Sequence, residues 1–296
     1  MATLNRPELR AAASRFIAAP RTRFAPSPTG YLHLGHVANA IYVWGVARAL
    51  GGQVRLRIED HDRIRSRPQY EAAILADLDW LGFDADEGRH PVRRQSDDAG
   101  SYEEALAYLR RVAHVYACDC SRRDIGGERY AGGCRERGLG PGAGRGVRGV
   151  LDDGAEAFDD LLLGPIEQTP AEQCGDLLVK DRDGNWTYQF AVTVDDLRQE
   201  IDLVIRGTDL LSSTGRQIKL ARLLGRGAPP QFLHHPLILN DGGRKLSKAA
   251  GDTGVRELRR TGASAADVLG RAAAAVGLLD RPRPVSAASV PDLFGG

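Results

Sequence analysis

The sequence predicts an α/β protein built on a doubly wound parallel sheet. Segments with the patterns of strands and helices alternate along the chain, and glycines follow the helical segments. Residues 53–58 alternate apolar and polar side chains, as a strand with one covered face does. Alternating strands and helices are typical of a parallel sheet with helices on both faces. Ligands bind at the carboxyl ends of the strands in such sheets, so we expect the site there.

Local signals mark the expected elements. Pro26 and Pro28 fix φ and exclude a helix between the first strand and the first helix. The pair Gly51-Gly52 ends that helix, and Gly82 ends the next one. We expect strands at 21–25, 53–58, 201–205 and 232–239, and helices at 36–50, 69–81, 101–114 and 210–224.

Glycine-rich sequence interrupts this alternation between residues 118 and 185. The stretch is too poor in side chains to form a packed core, so we expect an insertion between two halves of the sheet. Whether residues 136–149 are ordered stays open. The expected organisation is an N-terminal extension (1–20), the first half of the main domain (21–117), the insertion (118–185), the second half (186–248) and a helical C-terminal segment (249–296).

Composition restricts the partners and the compartment. The 296 residues carry a formal net charge of +1, so a nucleic acid would have to bind a local basic patch. No run of about 20 apolar residues is present, and we therefore expect no membrane span. The first 20 residues lack the apolar core of a signal peptide, which predicts a cytoplasmic protein. We expect a monomer, although the sequence does not show the oligomeric state.

A phosphate site is predicted where the first strand meets the first helix. His33 and His36 are three residues apart and share one face of the first helical turn. Gly30 and Gly35 allow a close approach of the backbone. The N–H groups at a helix N-terminus add a preference for anions.

A second basic element lies far downstream. Two of the four lysines, Lys245 and Lys248, follow a Gly-containing loop at 240–244. Flexible ammonium groups behind such a loop suit a polyphosphate. The plainer alternative is a pair of surface histidines and a solvated pair of lysines.

Three cysteines suggest a metal site. Cys118 and Cys120 point to one side of an extended segment, and Cys134 supplies a third thiolate. A structural zinc ion needs four ligands, and the Gly-rich surroundings offer little packing to hold free thiols in place. Free thiols nevertheless remain the alternative. The candidates for a fourth ligand are Tyr130, His114, Asp119 and Asp124.

The blocks His33-Leu34-Gly35-His36 and Lys245-Leu246-Ser247-Lys248 resemble the motif pair of class I aminoacyl-tRNA synthetases. The stretches at 24–30 (FAPSPTG) and 57–60 (RIED) resemble the glutamyl branch of that family. The resemblance extends from about Arg21 to Lys248. It implies a Rossmann-like catalytic domain that uses ATP as a substrate with Mg²⁺, although no dedicated set of magnesium ligands is visible.

The resemblance also implies residue roles. The catalytic residues would be His33, His36 and Lys248. ATP would bind Pro26, Gly35, His36, Lys245, Ser247 and Lys248. L-glutamate would bind Arg23, Phe24, Ala25, Pro26, Ser27, Glu59, Tyr188 and Arg206. One structural Zn²⁺ per chain would bind Cys118, Cys120, Tyr130 and Cys134, because the family pattern is Cys-x-Cys followed by Tyr-x-x-x-Cys.

The chemistry of these side chains fits a dicarboxylate substrate. Glu59 can pair with the substrate ammonium group, and Arg23 or Arg206 can hold a carboxylate through two parallel hydrogen bonds. The alternative is that Glu59 pairs with a neighbouring arginine such as Arg57, and that Arg206 is a surface charge.

Two charged groups near the motifs allow more than one interpretation. The pair Asp195-Asp196 either reaches a 3′-terminal ribose or caps a helix. A run of arginines either faces phosphate or forms a solvated surface. Its members are Arg55, Arg57, Arg63, Arg65 and Arg67.

Chain length separates the branches of this family. Few residues follow Lys248, too few for an anticodon-binding domain of typical size. The chain therefore resembles the truncated branch that transfers glutamate to queuosine at the wobble position of tRNA(Asp). The insertion would then bind the anticodon stem-loop. The alternatives are an enzyme that charges the 3′ end of tRNA(Glu) and a non-catalytic paralogue that binds tRNA or an amino acid.

Overall fold

The computed structural model describes residues 19–127, 129–239 and 254–295. The strands are β1 (Arg21–Phe24), β2 (Gln53–Leu56), β3 (Val115–Cys118), β4 (Gly146–Gly149), β5 (Glu156–Asp160), β6 (Gly164–Gln168), β7 (Leu177–Lys180), β8 (Leu203–Gly207) and β9 (Gln231–His235). The α-helices are α1 (Leu34–Ala49), α2 (Pro68–Leu81), α3 (Ala99–Val112), α4 (Arg122–Ile125), α5 (Pro170–Cys174), α6 (Tyr188–Arg198), α7 (Thr214–Leu223), α8 (Val255–Arg260) and α9 (Ala265–Ala275).

Parallel strands form the centre of the fold, as the sequence predicts. Strand β1 pairs with β2, and β8 pairs with β9, both in parallel. The N–H of Asp202 donates to the carbonyl of Arg21 at 3.1 Å and joins the two pairs at their starts. The carboxyl ends of these strands therefore lie at one edge, where the segments after β1 and β2 carry the expected site residues.

The expected insertion contains antiparallel strands and also contributes to the parallel sheet. Strands β3, β4 and β7 form an antiparallel sheet. Strand β5 forms a hairpin with β6 and pairs in parallel with β9 where Asp160 lies opposite Phe232. Part of the glycine-rich stretch is ordered, because Gly146–Gly149 is the middle strand β4. A Cβ at Gly146 would lie 2.8 Å from the carbonyl oxygen of Lys180, so the close pairing of β4 and β7 requires glycine there.

Helix α1 is buried along most of its length and occupies the main core. Its apolar residues face β1, β2 and the C-terminal helices, so it carries no polar face of the kind seen on surface helices. A Cβ at Gly45 would lie 2.2 Å from the ring of Phe294, which shows how closely the C-terminal segment packs on α1. This segment is helical, as expected, and ends in 3-10 turns at Ala287–Ser289 and Pro291–Phe294.

Several element boundaries differ from the expected ones. Helix α1 begins at Leu34 rather than at residue 36, because the side chain of His33 caps it. The helix expected at 210–224 is a 3-10 helix at Thr208–Ser213 followed by α7. The last strand ends at His235 rather than at residue 239. Among the described residues, no helix is both long and apolar enough to cross a membrane.

Candidate functional site

A cavity of about 240 Å³ opens at the carboxyl ends of the parallel strands. It brings together side chains that lie far apart in sequence: Arg23 from β1, Glu59 after β2, Tyr188 at the start of α6 and Arg206 from β8. Ala25 also lines it, and so do the expected phosphate residues His33, Gly35 and His36. The expected amino-acid site and the expected ATP site are therefore adjacent.

The other residues expected to bind glutamate or ATP either do not line this cavity or lie outside the described residues. Phe24 belongs to the core, where its ring lies 5.2 Å from that of Trp44. The carbonyl of Pro26 accepts from the N–H of Glu59 at 3.0 Å, and that of Ser27 accepts within its own turn. Neither Pro26 nor Ser27 lines the cavity. Lys245, Ser247 and Lys248 lie outside the described residues, so their expected roles remain predictions.

His33 and His36 form a reciprocal cap at the N-terminus of α1. The Nδ1 atom of His33 accepts from the N–H of Gly35, and Nδ1 of His36 accepts from the N–H of His33, both at 3.1 Å. Each neutral imidazole therefore carries its proton on Nε2, which makes Nε2 a donor. The rings lie 3.9 Å apart. Gly35 is required because a Cβ there would lie 2.9 Å from the His33 ring.

Glu59 is held by a buried arginine beneath the cavity. Its Oε1 atom accepts from Arg57 at 2.9 Å, and both side chains are almost completely buried. Arg57 also donates to Asp196 at 2.9 Å and lies 3.5 Å from Asp195. Burial opposes the charge of Arg57, but the three carboxylates raise its pKa. Glu59 thus has both environments that the sequence left open, because it pairs with Arg57 and lines the cavity.

The pair Asp195-Asp196 does not cap a helix, which corrects one of the two interpretations made from the sequence. Both residues lie inside α6 and are buried. Burial favours a raised pKa for Asp196, but Arg23 and Arg57 lower it. Burial raises the pKa of Asp195, which accepts from Tyr102. The arginines of the run do not share one environment, because Arg57 is buried in this cluster of charged side chains.

The remaining members of that run lie near the surface. Arg55 forms an ion pair with Glu87, and Arg63, Arg65 and Arg67 are exposed. Strand alternation does not explain the difference, because Arg55 and Arg57 are two residues apart and would share one face of a strand. Arg57 follows the last residue of β2 and is buried there, where carboxylates from α6 compensate its charge.

Arg206 is buried among neutral groups and is not a surface charge. Its guanidinium donates to Nε2 of His234 at 3.0 Å, to Gln217 at 2.6 Å and to Thr214 at 2.8 Å. Burial lowers its pKa, while the Tyr188 hydroxyl and Asp196 partly oppose this effect. Burial also raises the pKa of Tyr188, which keeps its hydroxyl protonated.

Several residues of this site were not predicted from the sequence. His234 holds Arg206, and His235 and Asn39 line the cavity and contact each other at 3.0 Å. The histidines were placed in the middle of an expected strand at 232–239. Because β9 ends at His235, the rule that sites lie at strand ends would have found both with the correct boundary.

A separate cluster contains the three cysteines expected to bind metal. The Sγ atoms of Cys118, Cys120 and Cys134 all lie within 4.8 Å of one another. The Tyr130 hydroxyl lies 3.4 Å from Sγ of Cys118 and 3.7 Å from Sγ of Cys120, and it accepts from the N–H of Cys134 at 2.9 Å. A tetrahedral zinc site with thiolate and oxygen ligands has edges of about 3.5–3.8 Å. The four side chains therefore fit such an ion.

The groups around the cluster act differently on two of its thiols, because burial raises the pKa of Cys120 to about 11 whereas the pKa of Cys134 is lowered. The guanidinium of Arg148 donates to Sγ of Cys118 at 3.4 Å, and that of Arg137 donates to Sγ of Cys134 at 3.2 Å. Burial alone would raise the pKa of Cys134, but hydrogen bonds from Tyr130, Arg137 and neighbouring groups lower it to about 7. A thiol with such a pKa loses its proton readily when a metal ion binds.

The other three candidates for the fourth ligand each contact residues other than the cysteines. Asp119 forms a two-bond ion pair with Arg137 at 2.6 and 3.0 Å. Asp124 caps α4 by accepting from Ser121. His114 is exposed and packs on Tyr116. Among histidine, cysteine, aspartate and glutamate side chains of the described residues, the three cysteines alone group together here. Tyr130 is therefore the side chain best placed to complete the set.

Comparison with known proteins gives matches over both parts of the chain that carry the motifs. The family model described as class I tRNA synthetases (E and Q), catalytic domain, matches residues 20–138 and 138–266. The glutamyl-Q tRNA(Asp) synthetase of Symbiobacterium thermophilum is 41% identical over 287 residues, which cover 89% of this chain and 88% of that protein. The protein of the same name from Nitratidesulfovibrio vulgaris is 40% identical over 283 residues.

Longer relatives match as well. Glutamate–tRNA ligase 1 of Acidithiobacillus ferrooxidans is 42% identical over 258 residues, which cover 82% of this chain and 54% of the ligase. A solved glutamate tRNA ligase of Elizabethkingia meningosepticum, in complex with its amino acid, superposes with a TM-score of 0.76 at 26% identity. That superposition covers 94% of this chain and 64% of the ligase. The chain thus spans between about half and two thirds of these ligases.

Proposed function

The chain belongs to the class I tRNA synthetases of the E and Q type, a family of ligases, and on this premise we propose that it activates L-glutamate with ATP. The product would be glutamyl-adenylate, formed without tRNA. One observation carries the proposal: a single cavity combines a buried carboxylate, a buried arginine and the paired histidines of the helix cap.

The charges of the cavity fit glutamate. The cluster below it contains the guanidiniums of Arg23 and Arg57 and the carboxyl groups of Glu59, Asp195 and Asp196. We infer that Glu59 receives the substrate ammonium group. Arg206 has neutral partners and would receive the side-chain carboxylate. The hydroxyl of Tyr188 would donate to the same substrate.

The activation step joins two anions, so its barrier is largely electrostatic. A carboxylate oxygen of glutamate attacks the α-phosphorus of ATP, the bond to the β-phosphate breaks, and pyrophosphate leaves. Negative charge grows on the phosphoryl oxygens during this step. His33 and His36 would stabilise it through Nε2–H donors, and the proposed role of Lys248 is to hold the β- and γ-phosphates. ATP enters as its Mg²⁺ complex.

We propose queuosine in tRNA(Asp) as the acceptor. A hydroxyl of the modified base would attack the carbonyl of the adenylate, and AMP would leave. The support is the name carried by relatives that are 40 to 41% identical and are matched over nearly their whole length. The insertion would contact the anticodon stem-loop.

The decisive experiment separates activation from transfer. Glutamate-dependent exchange between ATP and pyrophosphate is measured without tRNA, and labelled glutamate is then offered to tRNA(Asp) with and without queuosine. We expect exchange without tRNA and transfer only to the queuosine-containing tRNA. Exchange that needs tRNA(Glu) would support the second candidate, a glutamate–tRNA ligase, which the 42% identity to one such ligase favours. No exchange under any condition would indicate a binding paralogue.

We also propose one structural zinc ion bound by Cys118, Cys120, Tyr130 and Cys134. The ion would cross-link a segment with few apolar contacts of its own. The variant Cys134→Ser is expected to bind clearly less than one zinc ion per chain and to make residues 118–134 sensitive to protease. The matched control is Cys174→Ala, because Cys174 is buried apart from the cluster and its thiol donates to the carbonyl of Pro170. Equal zinc content in both variants would exclude Cys134 as a ligand.

A further inference from the structure

A buried chain of three side chains leads from the insertion to the cavity. Asp160 ends β5, His234 lies on β9 and Arg206 lies on β8. Oδ2 of Asp160 lies 2.6 Å from Nδ1 of His234, and Nε of Arg206 lies 3.0 Å from Nε2 of the same imidazole. The side chains of Asp160 and His234 are fully buried. The described contacts thus connect a carboxylate to the cavity arginine through one histidine.

The contacts determine which nitrogen of His234 carries the proton. Nε of Arg206 is only a donor, so Nε2 of His234 must accept. Nδ1 therefore carries the proton and donates to Asp160. Asp160 is fixed in turn, because it accepts from the backbone N–H groups of His234, Leu162 and Leu163, each at 3.0 Å. The imidazole is consequently neutral and confined to one tautomer and one orientation.

The surroundings of His234 agree with a neutral ring. Thr214 contacts Nε2 at 3.1 Å, and Phe232 stacks on the ring at 6.0 Å. Burial lowers the pKa of His234, the hydrogen bond to Asp160 opposes this effect, and the charges of Arg206 and Arg23 add to it. A protonated ring would place two cationic donors 3.0 Å apart.

We propose that Asp160 and His234 are positioning residues that orient Arg206 toward the side-chain carboxylate of the substrate, an inference that rests on the proposed activation of glutamate. Three of the five N–H donors of Arg206 are held by His234, Gln217 and Thr214. Neutral partners fix the guanidinium but leave its charge available. A carboxylate in direct contact with Arg206 would compete with the substrate carboxylate for the guanidinium. Asp160 contacts Arg206 only through the imidazole of His234.

The position of Asp160 in the chain connects the insertion to the amino-acid site. Asp160 belongs to the expected insertion at 118–185, and β5 reaches β9 through its pairing with Phe232. The insertion therefore contributes to the amino-acid site as well as to the proposed RNA contact. Substitutions in its β5–β6 hairpin are expected to change the KM for glutamate even when no tRNA is present.

A matched pair of substitutions tests the proposal. His234→Asn retains an amide donor near the position of Nδ1 for Asp160, but it has no acceptor at the position of Nε2. His234→Gln places an amide oxygen near Nε2, where it can accept from Arg206. In ATP–pyrophosphate exchange, His234→Asn is expected to raise the KM for glutamate about tenfold or more, with the KM for ATP within about twofold of wild type. For His234→Gln, in contrast, the KM for glutamate is expected to stay within about threefold of the wild-type value.

Other results would overturn the positioning role. It fails if His234→Asn leaves the KM for glutamate unchanged, if it raises the KM for ATP to the same extent, or if the glutamine variant is as impaired as the asparagine variant. Nitrogen-15 spectra of histidine-labelled wild-type protein give a second test, with the His234 signals assigned by their loss in His234→Gln. We expect a protonated Nδ1 and an unprotonated Nε2, and the opposite tautomer would contradict the proposal. If the wild type shows no glutamate-dependent exchange, the proposed function fails, and the spectra still decide the tautomer.

Discussion

Two buried arginines line the same cavity, and their surroundings differ. Nε of Arg23 lies 3.1 Å from a carboxylate oxygen of Asp196, and Arg23 also donates to the carbonyl of Ile205 at 3.3 Å. The partners of Arg206 are an imidazole, an amide and a hydroxyl. The charge of Arg23 is therefore compensated within the protein, whereas that of Arg206 is not compensated by its described hydrogen-bond partners.

This difference assigns separate tasks to the two sides of the cavity. A compensated ion pair gains little from a further anion but costs much when one partner is removed. A buried cation held by neutral groups gains most from an incoming carboxylate. We therefore expect Arg23 and its neighbours to maintain the structure of the site, and Arg206 to determine which substrate enters.

The largest effect is expected on the free energy of unfolding, when an arginine that is paired with buried carboxylates is replaced. Arg57→Met would leave three buried carboxylates with Arg23 as the remaining described cation, so the free energy of unfolding should fall by about 3–5 kcal/mol. Urea unfolding measures this change. The matched control is Arg65→Met, because Arg65 is exposed and pairs with Asp62, and its loss should cost less than about 1 kcal/mol. Equal losses in the two variants would contradict a structural role for the cluster.

The next effect concerns substrate binding. Arg206→Gln should reduce kcat/KM for glutamate about a hundredfold, equivalent to ~2.7 kcal/mol, because it removes the charge that faces the side-chain carboxylate. Its unfolding free energy should stay within about 1 kcal/mol of wild type. Arg23→Gln is the opposite case, with an expected loss of stability of about 2 kcal/mol, since Asp196 keeps Arg57 as a partner. A variant of Arg206 that loses stability but keeps its kinetics would reverse our assignment.

The smallest effect is a dependence of stability on pH. The pKa of His234 is lower in the folded chain than its ordinary value, so the unfolded chain takes up a proton first as the pH falls. Stability is therefore complete above the ordinary pKa of about 6.5 and declines below it, by at most about 1.4 kcal/mol per pH unit. The groups facing His234 are Asp160, Arg206 and Thr214. His234→Gln should lose less stability than wild type between pH 7 and pH 5, and parallel curves would show that His234 does not contribute.

The sequence predicted the parallel sheet and the proximity of His33 and His36, and the reason for the second is local. Residues 33–36 adjoin one another, so their shared helical turn follows from spacing alone. The pairing of Glu59 with Arg57 was one of the alternatives, but the other partners of Arg57 could not be predicted in this way. Arg57 is paired with Asp195 and Asp196 from a helix more than a hundred residues away, and no periodicity reveals that contact.

The neutral surroundings of Arg206 were equally hidden. The orientation of His234 depends on Asp160, which β5 brings to β9, and β5 belongs to a segment that the sequence predicted as an insertion between two halves of the sheet. His234 was also placed too far from the end of its strand, because the expected strand extended to residue 239 whereas β9 ends at His235. Boundaries and long-range pairings, rather than element types, limited the prediction of the site.

The most direct measurement is ATP–pyrophosphate exchange in the absence of tRNA, with glutamate compared against glutamine in the wild type and in Arg206→Gln. The two amino acids differ only in the group that we assign to Arg206. We expect wild-type exchange with glutamate and little with glutamine, and a large loss of this preference in the variant. Equal exchange with both amino acids in the wild type would show that the uncompensated arginine does not select the substrate.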